Sequence, residues 1–337
     1  MLQGVIAAVF MSGMACGQET GIDDPVRGTV ERALGFLEKD AVLWKSQGKC
    51  ATCHHGAMTV WTFNEAKQRG YPVKAELLAD LAKWSKVRFL GPDLEKPRGK
   101  EPGYNVVSLA VIFLALTAEA VPHQESLAPE DLRRIAEYLP RYQEVNGSWE
   151  MAPLWAGSPA PPVMDSHETW TLFASLALSQ FVTADPNTPS AARESLKKAA
   201  EWLSQTKPAD TTQSAALRLL VEARGGTSSE LPPMIDRLLR RQNADGGWGQ
   251  VRNLPSDAYA TGQALYALSL AGMTRERREI QAAVRFLVDA QKADGSWPMT
   301  PRAHPGKKPA KNTVPIVYFG SAWATLGLLR TVPRSGE

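Results

Sequence analysis

Apolar positions recur along this chain at helical spacing, and the helices they predict form two alternating series. The first series is amphipathic, with charge on one face: 28–44, 74–90, 129–143, 191–205, 232–242 and 275–291. The second series is apolar or small on all faces: 56–69, 104–119, 165–182, 211–224, 256–272 and 316–330. A helix that is apolar all round must be enclosed, whereas an amphipathic helix keeps one face for water. Six outer and six inner helices therefore predict an all-α fold, an (α/α)6 toroid, with an open solenoid of hairpins as the alternative.

A short phrase, Gln-x3-Gly-x-Trp, recurs between the two series. Its copies span 143–149, 242–248 and 291–297, so the tryptophans lie 99 and 49 residues apart, two periods and one period of one unit. A fixed period of this size is typical of repeat architectures. We expect the glycine to allow a tight reversal, the tryptophan to fill the gap between neighbouring pairs, and the glutamine to bond backbone at a helix end.

The phrase resembles the QW repeat of squalene–hopene and oxidosqualene cyclases, and residues 257–266 look like an inner helix of their C-terminal domain. The resemblance covers nearly all of the chain beyond residue 28. It implies one toroid domain over 28–331 and an apolar small molecule, such as an isoprenoid, as ligand. Protein prenyltransferase β-subunits share the single-toroid form and bind zinc, so the same resemblance implies zinc as an alternative cofactor.

A cysteine motif replaces the repeated phrase after the first outer helix. Residues 50–55 read Cys-Ala-Thr-Cys-His-His, which contains the C-x-x-C-H signature of covalent c-type haem attachment. Two thiols, Cys50 and Cys53, would hold the porphyrin, and His54 would donate an imidazole to iron. A zinc site and a disulfide or free thiols are the alternatives. Further metal-ligand candidates lie where the other outer-to-inner turns should gather: Met164, His167, His304 and Met299.

A second group of candidate residues stands at the start of the third inner helix. Asp165-x-His167-Glu168-Thr169 occupies the place where squalene–hopene-type cyclases carry Asp-x-Asp-Asp-Thr. The resemblance implies a catalytic role for Asp165, His167 and Glu168, although an imidazolium at the middle position is a weak acid for protonating an alkene. Helix capping is the alternative role for these side chains.

The net charge argues against nucleic-acid binding, and the N-terminal segment indicates export. The formal net charge of +3 and the scattered basic residues offer no nucleic-acid surface. Residues 2–15 are apolar but too few to span a bilayer, so we predict a signal segment over 1–17. Export to the periplasm or cell surface follows, with a lipid anchor at Cys16 as a variant of it.

Three hypotheses follow from the sequence. The first is an exported redox protein that carries covalent haem c and passes electrons to a partner protein. The second is a terpenoid cyclase-like or prenyltransferase-like enzyme acting on an isoprenoid. The third is a binding scaffold without catalysis, in which the cysteines only stabilise a loop.

Overall fold

Outer and inner helices alternate along the whole described chain. The computed structural model describes residues 25–49, 51–91, 111–117, 127–149, 162–163, 165–184, 190–225, 229–299, 301–303, 308 and 312–333. The outer helices are α1 (Pro25–Ser46), α3 (Ala75–Phe89), α5 (Pro129–Tyr138), α7 (Ser190–Gln205), α9 (Leu231–Leu239) and α11 (Arg278–Ala290). The inner helices are α2 (Thr59–Gln68), α4 (111–116), α6 (His167–Ala184), α8 (Thr212–Arg224), α10 (Ala258–Leu270) and α12 (Val314–Arg330). The predicted all-α toroid is confirmed, and the described residues contain no strand beyond two isolated β-bridges.

The inner helices form a closed ring, since each one touches the next. The ring of Phe113 on α4 lies 6.3 Å from that of Trp61 on α2 and 5.4 Å from that of Phe173 on α6. Helix α6 packs on α8, α8 on α10, and α10 on α12. Thr59 of α2 hydrogen-bonds Tyr318 of α12 at 2.5 Å, which joins the last inner helix to the first.

The repeated phrase ties each turn to two neighbours. Its tryptophan indole N–H donates to a carbonyl near the end of its own outer helix, as from Trp248 to Leu238 at 2.9 Å. Its glutamine amide donates to a carbonyl in the next outer helix, as from Gln242 to Glu279 at 2.9 Å. The glutamine amide thus links neighbouring pairs, while the indole N–H of the tryptophan bonds the turn of its own pair. The other copies repeat both bonds: Trp149, Trp297, Gln143 and Gln291.

The third copy of the phrase closes the outer ring. Gln291 donates to the carbonyl of Thr29 at 2.9 Å, so the last outer-to-inner turn binds the first outer helix. Gly295 lies against the same helix with φ +87°, and a Cβ there would sit 2.2 Å from the carbonyl oxygen of Arg32. Only glycine fits that backbone conformation and that approach. The contact excludes the open solenoid.

One end of the inner ring is closed by a buried ion cluster. The Glu65 carboxylate accepts hydrogen bonds from Arg69 at 2.6 Å, from Tyr266 at 3.2 Å and from Arg330. The Arg330 guanidinium also lies 4.8 Å above the Tyr266 ring. Buried charges need partners of this kind, because an unpaired ion in an apolar interior is very costly. The chemistry-bearing residues described next lie at the opposite end, where the inner helices begin.

None of the helices in the described ranges combines the length and apolarity that a membrane crossing requires. The segment 1–17, predicted as a signal, lies outside these ranges. The boundaries of the single domain, 28–331, stay a prediction.

Candidate functional site

Four inner helices bring polar side chains together where they begin. We call this end of the toroid the mouth, defined by Cys53, Asp165, Gln213, Asp257 and Tyr259. Burial, helped by the charges of Asp165 and Asp257 and by the Cys53 thiol, raises the pKa of the Tyr259 hydroxyl. The Tyr259 hydroxyl therefore interacts electrostatically with both the cysteine motif and the Asp165 segment. These two segments were expected to lie at the same end of the toroid.

Asp257 is the titratable group of the mouth best placed to exchange a proton. Its carboxylate caps α10 by accepting from the Ala260 N–H at 2.8 Å, and it accepts from the Gln250 amide at 2.8 Å. Both bonds favour the charged form, as does the guanidinium of Arg302, but burial outweighs them and raises the pKa of Asp257 to about 6. The carboxyl and carboxylate forms are therefore equally populated near pH 6, and the carboxylate predominates at pH 7.

Arg302 reaches the mouth from the loop that precedes α12. It donates to Asp165 Oδ1 at 2.5 Å and to Gln250 Oε1 at 3.4 Å. The other Asp165 oxygen, Oδ2, is buried and has no hydrogen-bond partner among the described residues, and the same holds for Nε2 of Gln213. The Gln213 carbonyl oxygen accepts from Tyr259 at 3.4 Å, which turns the amide N–H₂ away from that hydroxyl. The mouth thus offers one spare acceptor and one spare donor.

Aromatic rings fill the described part of the axis below the mouth. Trp323 lies at the centre, with ring centroids 6.5 Å from Tyr259, 5.2 Å from Trp61, 5.8 Å from Tyr266 and 6.4 Å from Phe173. Three of these pairs meet edge-to-face and the pair with Phe173 is tilted, and ring contacts at such distances leave no space for a ligand between the rings. We call this set the aromatic floor. Six aromatic side chains on the inner helices are at most 1% exposed: Trp61, Trp170, Tyr259, Tyr266, Tyr318 and Trp323.

The Asp165–Glu168 segment divides into side chains with different surroundings. Glu168 is buried and accepts from Arg218 at 2.5 Å, Ser214 at 3.0 Å and the Ala209 N–H at 2.8 Å. Its oxygens are therefore occupied in tying α6 to α8. His167 is exposed at the first residue of α6. The catalytic roles of Asp165, His167 and Glu168 remain predictions, and of the three only Asp165 faces the mouth.

The cysteine motif opens α2 with an unusual turn. The segment Cys53–Met58 is π-helical and runs directly into α2, and Thr52 caps it by accepting from the His55 N–H at 3.0 Å. Single π-turns occur frequently at functional sites. Cys53 is a free, buried thiol, and burial raises its pKa to about 12. It is accordingly protonated rather than a reactive thiolate.

The two histidines of the motif are buried among aromatic rings. Trp44 stacks on His55 at 4.4 Å and meets His54 edge-on at 5.2 Å. Tyr318 lies 3.9 Å from the His55 ring, and Phe319 lies 5.7 Å from the His54 ring. Burial lowers the pKa of both imidazoles, so both are neutral at pH 7. Neutral imidazole is the form that binds a metal ion.

The remaining ligand candidates are only partly described. Cys50, Met164 and His304 lie outside the described residues. Met299 is half-buried against Gly320, the residue that follows Phe319. Within the described ranges, no three or more His, Cys, Asp or Glu side chains converge on a point where a metal ion could sit. The zinc alternative draws no support from these residues.

Several residues of the site could not be found by reading motifs. Arg302 sits in a Pro- and Lys-rich loop, and Gln213 belongs to no signature. Asp40, on the outer helix α1, lies with its carboxylate 2.8 Å from Nε2 of the His55 ring. Asp257 and Tyr259 were recognisable as residues at an inner-helix start. The raised pKa of Asp257 depends on burial that the sequence alone does not give.

Comparisons with known proteins agree with this fold. The family model that matches, over residues 187–290, is the squalene-hopene cyclase N-terminal domain, whereas the sequence had suggested the C-terminal domain. Drimenyl diphosphate synthase of Streptomyces showdoensis is 35% identical over 83 residues, which are 25% of this chain and 15% of that protein. Squalene–hopene cyclase of Zymomonas mobilis is 31% identical over 115 residues, 33% of this chain and 17% of that protein. The chain spans about a sixth of the length of these relatives.

Solved structures with the same fold cover nearly all of the chain. A variant of type II terpene cyclase MstE from Scytonema, in complex with geranylgeranyl dihydroxybenzoate, superposes with a TM-score of 0.58 at 17% identity, covering 92% of this chain and 98% of that one. A family 88 glycosyl hydrolase from Bacteroides vulgatus has a TM-score of 0.55 at 12% identity, with 90% and 99% covered. The protein thus has a terpene-cyclase-like α/α toroid fold, an architecture that also serves carbohydrate-active enzymes.

Proposed function

We propose that this chain acts on an isoprenoid-class small molecule at the mouth of the toroid, with Asp257 as its acid–base group. The observation that carries the proposal is a carboxyl of raised pKa, about 6, placed at the mouth of an aromatic-floored toroid. A proton donor works best when its pKa lies near the working pH. The matches to two terpenoid enzymes, and the likeness to a terpene cyclase holding a geranylgeranyl compound, support this substrate class.

The mouth suits a molecule with an apolar chain and an oxygen-bearing end. Asp165 Oδ2 accepts a hydrogen bond from the oxygen-bearing end, and Gln213 Nε2 donates one to it. Both atoms are buried without a partner among the described residues, and a buried unsatisfied polar atom is costly unless a ligand satisfies it. The apolar chain covers the aromatic floor rather than threading through it, because the rings are already in contact.

The chemistry open to Asp257 is proton transfer to or from an oxygen function. A carboxyl with a pKa near 6 is a weaker acid than an ordinary aspartic acid, so it suits a leaving group or a carbonyl better than an alkene. Asp165, held by Arg302, supplies a fixed negative charge beside the reacting end. This assignment gives the acid role to Asp257 instead of His167, which is exposed, or Glu168, which is fully paired.

Product analysis tests this function. The purified chain is incubated with squalene, oxidosqualene and geranylgeranyl diphosphate, and the extracts are analysed by gas chromatography and mass spectrometry. We expect conversion of an oxygen-bearing substrate, and a fall of about a hundredfold or more in Asp257→Asn. The matched control, Asp236→Asn on the exposed face of α9, keeps the wild-type rate. Unchanged substrates together with no saturable binding would refute the proposal.

A second candidate function is electron transfer through a covalent haem c at Cys50, Cys53 and His54. Its specific support is the C-x-x-C-H motif, of which Cys53 and His54 lie together on one buried turn with a neutral imidazole. These two residues fit the group in donor chemistry: the thiol would form a thioether, and the imidazole would bind iron. A bound haem supplies one-electron transfer. Aromatic rings from Trp44, Tyr318 and Phe319 keep water from this turn.

An absorption spectrum tests the second candidate. The full chain is produced in a host with cytochrome c maturation, and the reduced protein is measured before and after denaturation. We expect sharp reduced-state bands that survive denaturation, because thioether bonds outlast the fold. The variant with both Cys50→Ala and Cys53→Ala is expected to lose them entirely. A colourless wild-type protein from that host would contradict haem attachment.

Export belongs to the second candidate, since covalent haem is attached outside the cytoplasm. Under it, residues 1–17 direct the chain to the periplasm or cell surface, with lipid attachment at Cys16 as a variant, and a redox protein is its partner. Fractionation of cells that produce the full chain locates the protein and shows whether the segment is removed.

A further inference from the structure

Two side chains of the mouth each keep one buried polar atom that no described residue satisfies. These atoms are Oδ2 of Asp165 and Nε2 of Gln213. The Asp165 side chain is 6% exposed and Gln213 is 3% exposed. The other polar atom of each side chain is engaged, since Asp165 Oδ1 accepts from Arg302 and Gln213 Oε1 accepts from Tyr259. One atom of each side chain therefore remains for a ligand.

Both side chains lie beside the Tyr259 hydroxyl. This hydroxyl donates to Gln213 at 3.4 Å, and its pKa is raised by burial and then by the charge of Asp165. Asp165 directly precedes α6, Gln213 lies in the first turn of α8, and these two helices pack together. One small group of a ligand can therefore contact both atoms.

The two remaining atoms have opposite hydrogen-bonding characters. A carboxylate oxygen only accepts, and the ion pair with Arg302 keeps Asp165 in the carboxylate form. The amide nitrogen of Gln213 only donates. A single ligand oxygen satisfies both atoms only if it donates one hydrogen bond and accepts another. A hydroxyl does so, whereas a carbonyl, an ether, an epoxide and an ionised diphosphate only accept.

We infer that the ligand of the mouth is an isoprenoid alcohol, whose hydroxyl donates to Asp165 and accepts from Gln213. The isoprenoid chain in this inference rests on the proposed function, and the inference adds the chemical group at its end. A hydroxyl placed in this way removes both unsatisfied atoms at once, which no acceptor-only oxygen achieves.

The charges of the mouth act against a diphosphate. Asp165 and Asp257 both bring carboxylates to this end of the toroid, and the guanidinium of Arg302 is already bonded to Asp165 and Gln250. A diphosphate would leave water to lie beside like charges, which costs binding free energy. A neutral hydroxyl avoids that cost.

Three compounds with one geranylgeranyl chain and different ends test the inference. Geranylgeraniol donates and accepts, geranylgeranial has the same heavy atoms but only accepts, and geranylgeranyl diphosphate is an anion. Binding is followed by tryptophan fluorescence, because Trp323 lies 6.5 Å from Tyr259 below the mouth. We expect the alcohol to bind about tenfold to a hundredfold more tightly than the aldehyde, which leaves the Asp165 carboxylate unsatisfied. The diphosphate should bind more weakly still.

Two variants separate the roles of the two atoms. In Asp165→Asn, Arg302 still holds Oδ1 and the amide presents N–H₂ to the ligand, so the aldehyde should bind at least as tightly as the alcohol. Gln213→Leu removes a donor that both compounds use, so both should weaken by about threefold to tenfold with their ratio unchanged. Asp236→Asn, on the exposed face of α9, is the control and should leave every dissociation constant unchanged.

The contrary results are distinct for the inference and for the proposed function. An aldehyde or a diphosphate that binds the wild type as tightly as the alcohol would overturn the inference and leave the proposed function in place. An alcohol preference that survives in Asp165→Asn would do the same. If none of the three compounds binds, the proposed function itself is contradicted, and the inference with it.

Discussion

Replacing Trp297 by alanine is expected to lower the free energy of unfolding by about 3–5 kcal/mol. The side chain is fully buried, and its indole N–H donates to the carbonyl of Leu287 at 2.7 Å. Removal leaves a cavity and an unsatisfied carbonyl at the turn whose Gln291 and Gly295 bind α1. Chemical denaturation followed by circular dichroism measures the change.

Replacing Trp297 should destabilise the contact between α11 and α1, where the outer ring closes, more than the rest of the ring. Hydrogen exchange in Trp297→Ala is expected to speed up most in α1 and α11. Trp248→Ala is the matched control, because its turn binds α11 through Gln242 and leaves α1 untouched. Equal acceleration of exchange around the whole toroid in both variants would show that Trp297 does not act at the closure.

Replacing Asp257 by asparagine is expected to change how stability depends on pH. The folded pKa of about 6 lies above the ordinary value of 3.8, so the folded state binds the proton more tightly than the unfolded state. In the wild type, the free energy of unfolding therefore falls as pH rises from about 4 to about 6, and the loss is complete above that range. Asparagine does not titrate and still caps the helix.

The stability difference between Asp257→Asn and wild type should move in favour of the variant by about 2 kcal/mol between pH 4 and pH 8. The value lies below the full shift because the carboxyl of the unfolded chain, with its ordinary pKa of 3.8, is already more than half ionised at pH 4. Any pH-independent cost of the amide cancels in this comparison. Asp236→Asn, an exposed change on α9, serves as control for the removal of a carboxylate. A difference that is level across this range would show that Asp257 is not held protonated by burial.

The repeated Gln-x3-Gly-x-Trp phrase is the feature that made the fold predictable from the sequence. Because the glutamine, glycine and tryptophan recur at one period, the helix series and the closed ring could be read before any contact was known. Eleven of the predicted segments agree with their helices to within a few residues, while the segment 104–119 lies mostly outside the described residues and is represented only by α4 (111–116). Within the phrase, the glutamine bonds backbone as expected, but the carbonyl that accepts belongs to the next outer helix. The filling of the gap between pairs by tryptophan stays a prediction.

The site was less accessible to sequence reading, because its properties come from burial and long-range contact. Nothing local to Glu168 reveals that Arg218, fifty positions later, occupies its carboxylate. Arg302 and Asp165 are joined across 137 positions. Nothing local to His55 reveals that its ring nitrogen meets the carboxylate of Asp40, fifteen positions earlier.

The central claim is that an isoprenoid binds at the mouth, above the aromatic floor. Photo-crosslinking with a diazirine-bearing geranylgeranyl probe, followed by peptide mapping, tests it most directly. The account predicts labels confined to the inner-helix starts around Cys53, Gln213 and Tyr259, and their loss when unlabelled isoprenoid competes. Labels spread over the outer helices, or labelling that competitor does not reduce, would contradict it.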